Sequence, residues 1–310
     1  MTKPASKIYR TTNWSSYNQA LINRGNITIW FDQNTQWYAE NNGKQGRSPT
    51  YSDAAIQCCL MIKSLFRLTL RMVTGFIRSL IKLSGLDGTA PDYSTLSRRQ
   101  PHIDIAISYQ TSKDGLHLLV DSTGLKFLGE GEWKRKKHQP EYRRQWRKLH
   151  IGIDAKTLQI RAVQLTTNNV GDSQVLGNLL DQIPSGERID SVYTDGAYDT
   201  KRCRQVIADR NAHAIIPPRK NAKPWKDKRA SSIERNTLLK TIKHLGRTIW
   251  KKWSGYHRRS LVETKMHCIK LLGDKLHARK FASQVNEIHA RVAVLNKFTE
   301  LGRPHTQVVT

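Results

Sequence analysis

The sequence predicts a mixed α/β domain, a mixed sheet flanked by helices, preceded by a helical N-terminal region. Three observations carry that expectation. Apolar residues recur at helical spacing between residues 52 and 83. From residue 116 onward, short apolar runs alternate with amphipathic stretches in the order β-β-β-α-β-α-β-α, the pattern of a sheet with helices packed on it. Near the C-terminus, Tyr256, Arg259, Glu263 and Lys270 are spaced so that, at about 100° per residue, they share roughly a 60° arc of one helical face.

Residues 1 to about 48 are polar and rich in Asn and Gln, and Asn41–Arg47 reads as a loop. Ser52 is placed to cap a helix carrying Ala55, Ile56, Cys59 and Leu60 on one side. Leu70, Val73, Ile77 and Leu80 mark a second helix ending before Gly85. Asp92–Arg99 opens a third, basic helix. Three short helices with a basic last member suit a helix-turn-helix-like DNA-binding module over 1–110, and suit a plain helical bundle equally well.

The texture changes near residue 114. Leu116–Val120 reads as a buried strand ending at Asp121, and Leu149, Ile151 and Ile153 alternate as a second strand. A turn at Asp154–Thr157 leads to a third strand over Leu158–Leu165. Gly171 and Asp172 start a helix bearing Val175, Leu176, Leu179 and Leu180. Ile189–Thr194 is a strand ending at Asp195, Thr200–Arg210 a helix that Asp199 introduces, and Ala214–Ile216 a further strand. Asn221 to Arg229 is a basic, proline-containing loop. On the last helix, Leu261, Val262, Ile269 and Leu272 oppose the polar face, with Lys265 interrupting the stripe. The resulting domains are 1–110, 111–300 and a C-terminal tail over 301–310.

Among 310 residues, 52 Lys and Arg stand against 25 Asp and Glu, a formal net charge of +27. Self-repulsion of that size calls for a polyanionic partner, and the basic residues are spread along the chain rather than gathered in one amphipathic helix, which favours nucleic acid over a membrane surface. Five cations interrupt the most apolar region, Cys58–Leu83, so it does not read as a membrane span. The start lacks the apolar stretch of a signal peptide. Cys58, Cys59, Cys203 and Cys268 have no zinc-like spacing and read as buried thiols of a cytoplasmic protein.

Asp121 and Asp195 each follow an apolar strand, where open α/β sheets bind ligands. A strand-terminal Asp is more often a turn or cap residue, the role expected for Asp154, Asp172 and Asp199. The pairing of Asp121 and Asp195 with Glu263 sets them apart. Three carboxylates without convergent His or Cys favour a hard cation, Mg²⁺ with Mn²⁺ as its substitute. Two such ions activate a nucleophile and stabilise a leaving oxygen in phosphoryl transfer. Arg259 and Lys270 would neutralise the approaching phosphate.

These residues resemble a known family. Tyr256-x2-Arg259-x3-Glu263-x6-Lys270 matches the YREK signature of bacterial insertion-sequence transposases of the DDE class. Asp121 in Leu-Val-Asp-Ser-Thr-Gly-Leu-Lys and Asp195 in Tyr-Thr-Asp-Gly-Ala-Tyr-Asp resemble that family's first two catalytic aspartates, and the whole chain is similar to the insertion-sequence family numbered five. The resemblance implies an RNase H-like catalytic domain, binding of terminal inverted repeats, cleavage of element ends and joining of a freed 3′-hydroxyl to target DNA. It implies Asp121, Asp195 and Glu263 as catalytic metal ligands, with Arg259, Lys270 and Tyr256 on phosphates near the cut. The partners implied are double-stranded DNA and a second copy of the chain, in a homodimer or larger assembly associated with the bacterial nucleoid through DNA. The short interval from Asp195 to Glu263 implies no large β-rich insertion.

The densest basic stretch is Trp133-Lys134-Arg135-Lys136-Lys137-His138, continued by Arg143, Arg144, Trp146, Arg147 and Lys148. Its aromatics and its place after the first acidic strand favour a phosphate-tracking role for Lys134, Arg135, Lys136 and Lys137 over a solvated hairpin face. Trp225, Trp250 and Trp253 are candidates for stacking on an unpaired base, with at least one expected in the core. His117 and His150 read as strand residues rather than ligands. No phosphate-cradling Gly-x4-Gly-Lys loop or Gly-x-Ser-x-Gly elbow occurs, which argues against nucleotide hydrolysis and acyl transfer. Two rivals remain at this level: a structure-specific DNA nuclease on the same fold, and a catalytically inactive transposase-derived DNA-binding protein.

Overall fold

The computed structural model describes residues 8–32, 34–40, 43, 48–112, 114–129, 131, 137 and 145–309. The chain divides into two compact units, one of residues 1–108 with 290–310 and the other of residues 109–289.

In the first unit the three helices expected between residues 52 and 99 form as α2 (Asp53–Leu65), α3 (Leu70–Leu83) and α4 (Tyr93–Arg99), after β1 (Ile8–Thr11) and α1 (Trp14–Arg24). Each of the three starts on a side-chain cap. Ser52 accepts the Ala55 amide at 3.0 Å, Thr69 that of Met72 at 3.4 Å, and Asp92 that of Ser94 at 2.8 Å. Ala55, Ile56, Cys59, Leu60 and Ile62 of α2 are buried, as are Val73, Ile77 and Ile81 of α3. Arg99, one of the two arginines of α4, is taken up internally by Asp53 and by the Tyr51 carbonyl. The C-terminal tail over 301–310 contains strand β8 (Thr306–Val309), which pairs antiparallel with β1 from Ile8↔Val309 to Thr11↔Thr306. The β-branched pair Val308 and Val309 suits an extended backbone.

The second unit is built on one mixed sheet. β2 (Leu116–Phe127), β3 (Arg147–Asp154) and β4 (Ile160–Thr167) form an antiparallel meander, and β5 (Ile189–Tyr193) and β6 (His213–Ile215) add in parallel on the other side of β2. The strand order is β4-β3-β2-β5-β6, with β7 (Lys275–Leu276) beside the end of β2. Parallel pairing needs crossovers, which α5 (Asp172–Asp181) and α6 (Lys201–Asp209) supply. Alternation along β2 divides its side chains between two faces. Leu116, Leu118 and Val120 pack with Val175, Leu176, Leu179 and Ile207 of the crossover helices. Thr123 on the opposite face meets Lys270 of α9 (Ser260–Leu271). This mixed α/β architecture is consistent with the RNase H-like expectation.

Three local expectations are corrected. First, β2 does not end at Asp121 but runs six residues further, to Phe127, because Ser122–Leu125 continue the ladder with His150–Arg147. Second, Tyr256 and Arg259 lie in a 3₁₀ turn, Tyr256–Arg259, rather than on one α-helix with Glu263 and Lys270. Gly255, at φ 64° in the left-handed region, ends α8 (Arg247–Trp253) and opens that turn. Val262, Met266 and Ile269 form the buried stripe of α9, while Leu261 and Leu272 are only half-buried. Third, Asp199 does not cap α6, a task done by Thr200 through the Cys203 amide at 3.2 Å. The Asp199 carboxylate is instead buried between two guanidinium groups. Arg204 Nε donates to it at 3.0 Å and Arg235 Nη2 at 2.9 Å, Arg235 coming from α7 (Ala230–Leu245).

Between β6 and α9 the described residues form α7, α8 and a loop, with no strand. Cys58, Cys59 and Cys203 are buried and Cys268 is half-buried, all as free thiols. No described helix is long and apolar enough to cross a membrane.

The Asp199 cluster gives a direct stability test. Asp199→Asn leaves two buried guanidinium groups without a counter-charge, so it should cost about 3–5 kcal/mol. Urea unfolding of the variant beside wild type measures that loss.

Candidate active site

The parallel register of β2 and β5 determines where the acids meet. The last paired residues are Leu119 and Tyr193, and Asp121 and Asp195 each stand two residues further along. The two carboxylates thus emerge side by side where the strands part. Asp195 heads the 3₁₀ turn Gly196–Tyr198, its Oδ1 accepting the Ala197 amide at 2.8 Å. Asp121 Oδ1 accepts the amide of Ser122 at 2.8 Å. Burial pushes the Asp121 carboxyl above its ordinary range and the neighbouring Asp195 charge adds to this, against the Ser122 amide and Arg259.

The third acid arrives from α9 through an arginine. Arg259 Nη1 donates to Asp121 Oδ2, and Nη2 donates to Glu263 Oε1 at 2.5 Å. The guanidinium lies between a carboxylate on the sheet and one on the helix. Asp121 is 15% exposed and Arg259 20%, whereas Glu263 is 54% exposed, so the pair at the strand is the more desolvated. Lys270 Nζ donates to Thr123 Oγ1 at 2.8 Å, on the same face of β2 as Asp121. Tyr256 is half-buried, its ring 5.6 Å from that of Trp250 and 5.4 Å from Lys251 Nζ. Burial raises its hydroxyl pKa, the nearby Asp195 and Asp121 charges acting in the same direction and Arg259 against them.

Among the described residues no three His, Cys, Asp or Glu side chains converge closely enough to hold a metal ion. The guanidinium explains the gap on one side, because a cation already separates Asp121 from Glu263. Hard carboxylate oxygens placed around a cation are the donor set that Mg²⁺ or Mn²⁺ takes. Asp121 and Glu263 already turn such oxygens toward one positive charge, that of Arg259.

The other expected cations divide sharply. Lys134, Arg135 and Lys136 lie outside the described residues, as do Arg143 and Arg144, and Lys137 is exposed. Arg147 and Lys148 are taken up within the fold. Arg147 stacks on Phe127 at 4.2 Å and donates to Gln284 at 2.8 Å, and Lys148 pairs with Asp172 at 2.6 Å. Of the three tryptophans, Trp250 is buried, Trp225 lies against Arg235 at 4.1 Å, and Trp253 is 74% exposed.

Sequence reasoning missed a polar cluster on the opposite face of β2. Ser122 Oγ donates to Asp172 Oδ1 at 2.8 Å, and the same oxygen takes Lys148. His150, paired across from Ser122, is fully buried, with Nε2 3.0 Å from Thr166 Oγ1 and Nδ1 3.7 Å from Asp172. Strand alternation was the available signal, since Ser122, Lys148 and His150 share one face once the register is known. Burial depresses the His150 pKa to about 4.

Two family models match the chain, both described as Transposase DDE domain, one over residues 22–130 and the other over residues 112–297. The second covers more than half of the chain and contains Asp121, Asp195, Arg259, Glu263 and Lys270. The class is therefore a transposase. In particular, the chain belongs to the DDE-domain transposases.

The buried imidazole makes stability depend on pH. Its folded pKa of about 4 lies below the ordinary value of 6.5. Between those values the unfolded chain binds a proton that the folded chain refuses, so stability falls as pH drops from 6.5 to 4. The loss should reach roughly 3 kcal/mol. Urea unfolding at several pH values should show this component in wild type and not in His150→Gln.

Proposed function

We propose that the protein is the transposase of an insertion sequence of the family numbered five, which cleaves the element's ends and joins the 3′-hydroxyl to target DNA. The observation that carries this reading is the meeting of Asp121 and Asp195 at the parting of β2 and β5, with Arg259 linking Asp121 to Glu263. Asp121, Asp195 and Glu263 would hold Mg²⁺ or Mn²⁺. When bound, such ions supply Lewis-acid stabilisation to the attacking and leaving oxygens of an in-line phosphoryl transfer.

The chain's own cations supply the rest. Arg259 is oriented by two carboxylates, and an arriving phosphodiester offers its fork a third anionic partner. Moving onto the phosphate would free Asp121 and Glu263 together. Lys270, held by Thr123 on the same face, provides a second positive charge beside the cut. Tyr256, braced by Trp250, borders the phosphate site. In the N-terminal unit, exposed Arg71, Arg78 and Lys82 on α3 and Arg98 on α4 support recognition of the terminal repeats. Two element ends must be brought together, which calls for at least a homodimer of the chain on DNA.

A strand-transfer assay tests the chemistry. Asp121→Ala, Asp195→Ala and Glu263→Ala should each reduce joining of a labelled element end by about a thousandfold or more. Joining that survives in any one of them rejects the assignment of that acid, and cleavage without joining by wild type identifies a nuclease instead. Arg259→Gln removes the competing cation, so Mn²⁺ should bind the DNA-free variant more tightly than DNA-free wild type. Electron paramagnetic resonance of Mn²⁺ reads this without turnover, and equal affinities reject the displacement of Arg259.

A further inference from the structure

The stretch from Pro217 to Arg229 has no regular secondary structure, yet it is pinned along most of its length. Arg247 Nη2 donates to the Pro218 carbonyl at 2.7 Å. Arg235 Nη1 donates to the Lys223 carbonyl at 2.9 Å. The Asn236 side chain holds both backbone groups of Trp225, at 2.8 Å each. Arg235 is fixed in turn by the buried Asp199, which Arg204 also grips, and its guanidinium lies 4.1 Å from the centre of the Trp225 ring. A buried ion cluster thus serves to hold a loop, and a long loop held so firmly is commonly a binding element.

What the loop displays is charge. Lys220, Lys223, Lys226 and Lys228 are exposed, and none of the four has a carboxylate partner among the described residues. The start of the loop abuts the second aspartate. Arg219 donates to the carbonyls of Gly196 and Ala197 at 3.3 and 3.4 Å, directly after Asp195. Beside Lys223 and Trp225 an open groove of about 490 Å³ is floored by Asp199 and Arg235.

We propose that this loop is a binding surface for the DNA backbone, receiving the strand that runs past Asp195 toward the groove at Trp225. The proposal rests on the transposase reading and extends it, because it names where the substrate continues beyond the reacting phosphate. Rigidity matters here. Cations on a pinned loop keep their distance from Asp195, so a strand bound to them has a defined register relative to the acids. Sequence independence follows as well, since lysines meeting phosphates carry no base information.

The test uses the full chain and a labelled duplex taken from the DNA flanking its gene. Lys220→Gln/Lys223→Gln should weaken binding about tenfold at moderate salt. It should also lower the slope of log K against log salt by nearly two, at about 0.9 for each phosphate no longer neutralised. Lys240→Gln/Lys243→Gln removes the same charge from exposed positions on α7 and serves as the comparison. A slope change confined to the loop variant supports the proposal. An unchanged slope, or an equal change in the α7 variant, overturns it. Cleavage of the same DNA by wild type is scored in parallel. Wild type that does not cut defeats the transposase reading, whereas wild type that cuts beside a loop variant of unchanged slope defeats only the loop.

Discussion

The register between β2 and β5 is the constraint on which the site depends. Leu119 opposite Tyr193 puts Asp121 and Asp195 at matching positions beyond the last pair. A one-residue slip would turn one of the two acids to the other face of the sheet. The register is secured on the apolar side, where Leu116, Leu118 and Val120 of β2 and Val192 of β5 pack with α5 and α6. The hydrophobic core therefore sets the spacing of the acids, and one of its members, Tyr198, donates its backbone amide to the Asp195 carbonyl at 3.2 Å. On the other face, α9 is seated by Val262, Met266 and Ile269, and that seating brings Arg259 and Glu263 to Asp121.

Bringing carboxylates together has an electrostatic cost that the fold offsets with Arg259. Desolvation and the Asp195 charge both oppose ionisation of Asp121, and the result is a carboxyl with a raised pKa. Arg259, bonded to Asp121 and Glu263, limits that effect within a single fork of donors. The same geometry makes it a competitor for any divalent ion. On the proposed reading a phosphodiester is the partner that would draw this guanidinium away from the two carboxylates.

Much of the fold was legible because it follows from periodicity. The helices at Asp53–Leu65 and Leu70–Leu83 and the strands at β3, β4 and β5 carry the apolar spacing that burial requires. Asp121 shows the limit. Polar Ser122 and Thr123 look like the end of a strand, yet they continue it because β3 supplies backbone partners and both hydroxyls find charged groups, Asp172 and Lys270. The shared face of Tyr256, Arg259, Glu263 and Lys270 assumed one uninterrupted α-helix. Gly255 and the 3₁₀ turn replace its first part, and Arg259 reaches both acids all the same. Asp172 and His150 were invisible as a pair because only the packing of α5 against β3 brings them together.

The net charge of +27 is the feature that pairing most revises. A uniform basic surface would follow if every Lys and Arg faced solvent, but many do not. The buried Arg161 is paired with Glu187, Arg204 and Arg235 enclose Asp199, Arg147 lies on Phe127, and Lys148 is held by Asp172. Those cations build the protein and lend nothing to a polyanion. Arg219 and Arg259 stand between the two groups, each tied to the site by its own contacts. The lysines of the 217–229 loop are the converse case, being exposed on a backbone that other arginines immobilise. The division follows chemistry. Arginine, with its planar fork and weak hydration, is the cation that tolerates burial and can bond several acceptors at once, whereas the strongly hydrated lysine ammonium stays in water until a phosphate replaces that water. Counting charges along the sequence gives only a net sign, and the pairing shows which charges the fold uses up.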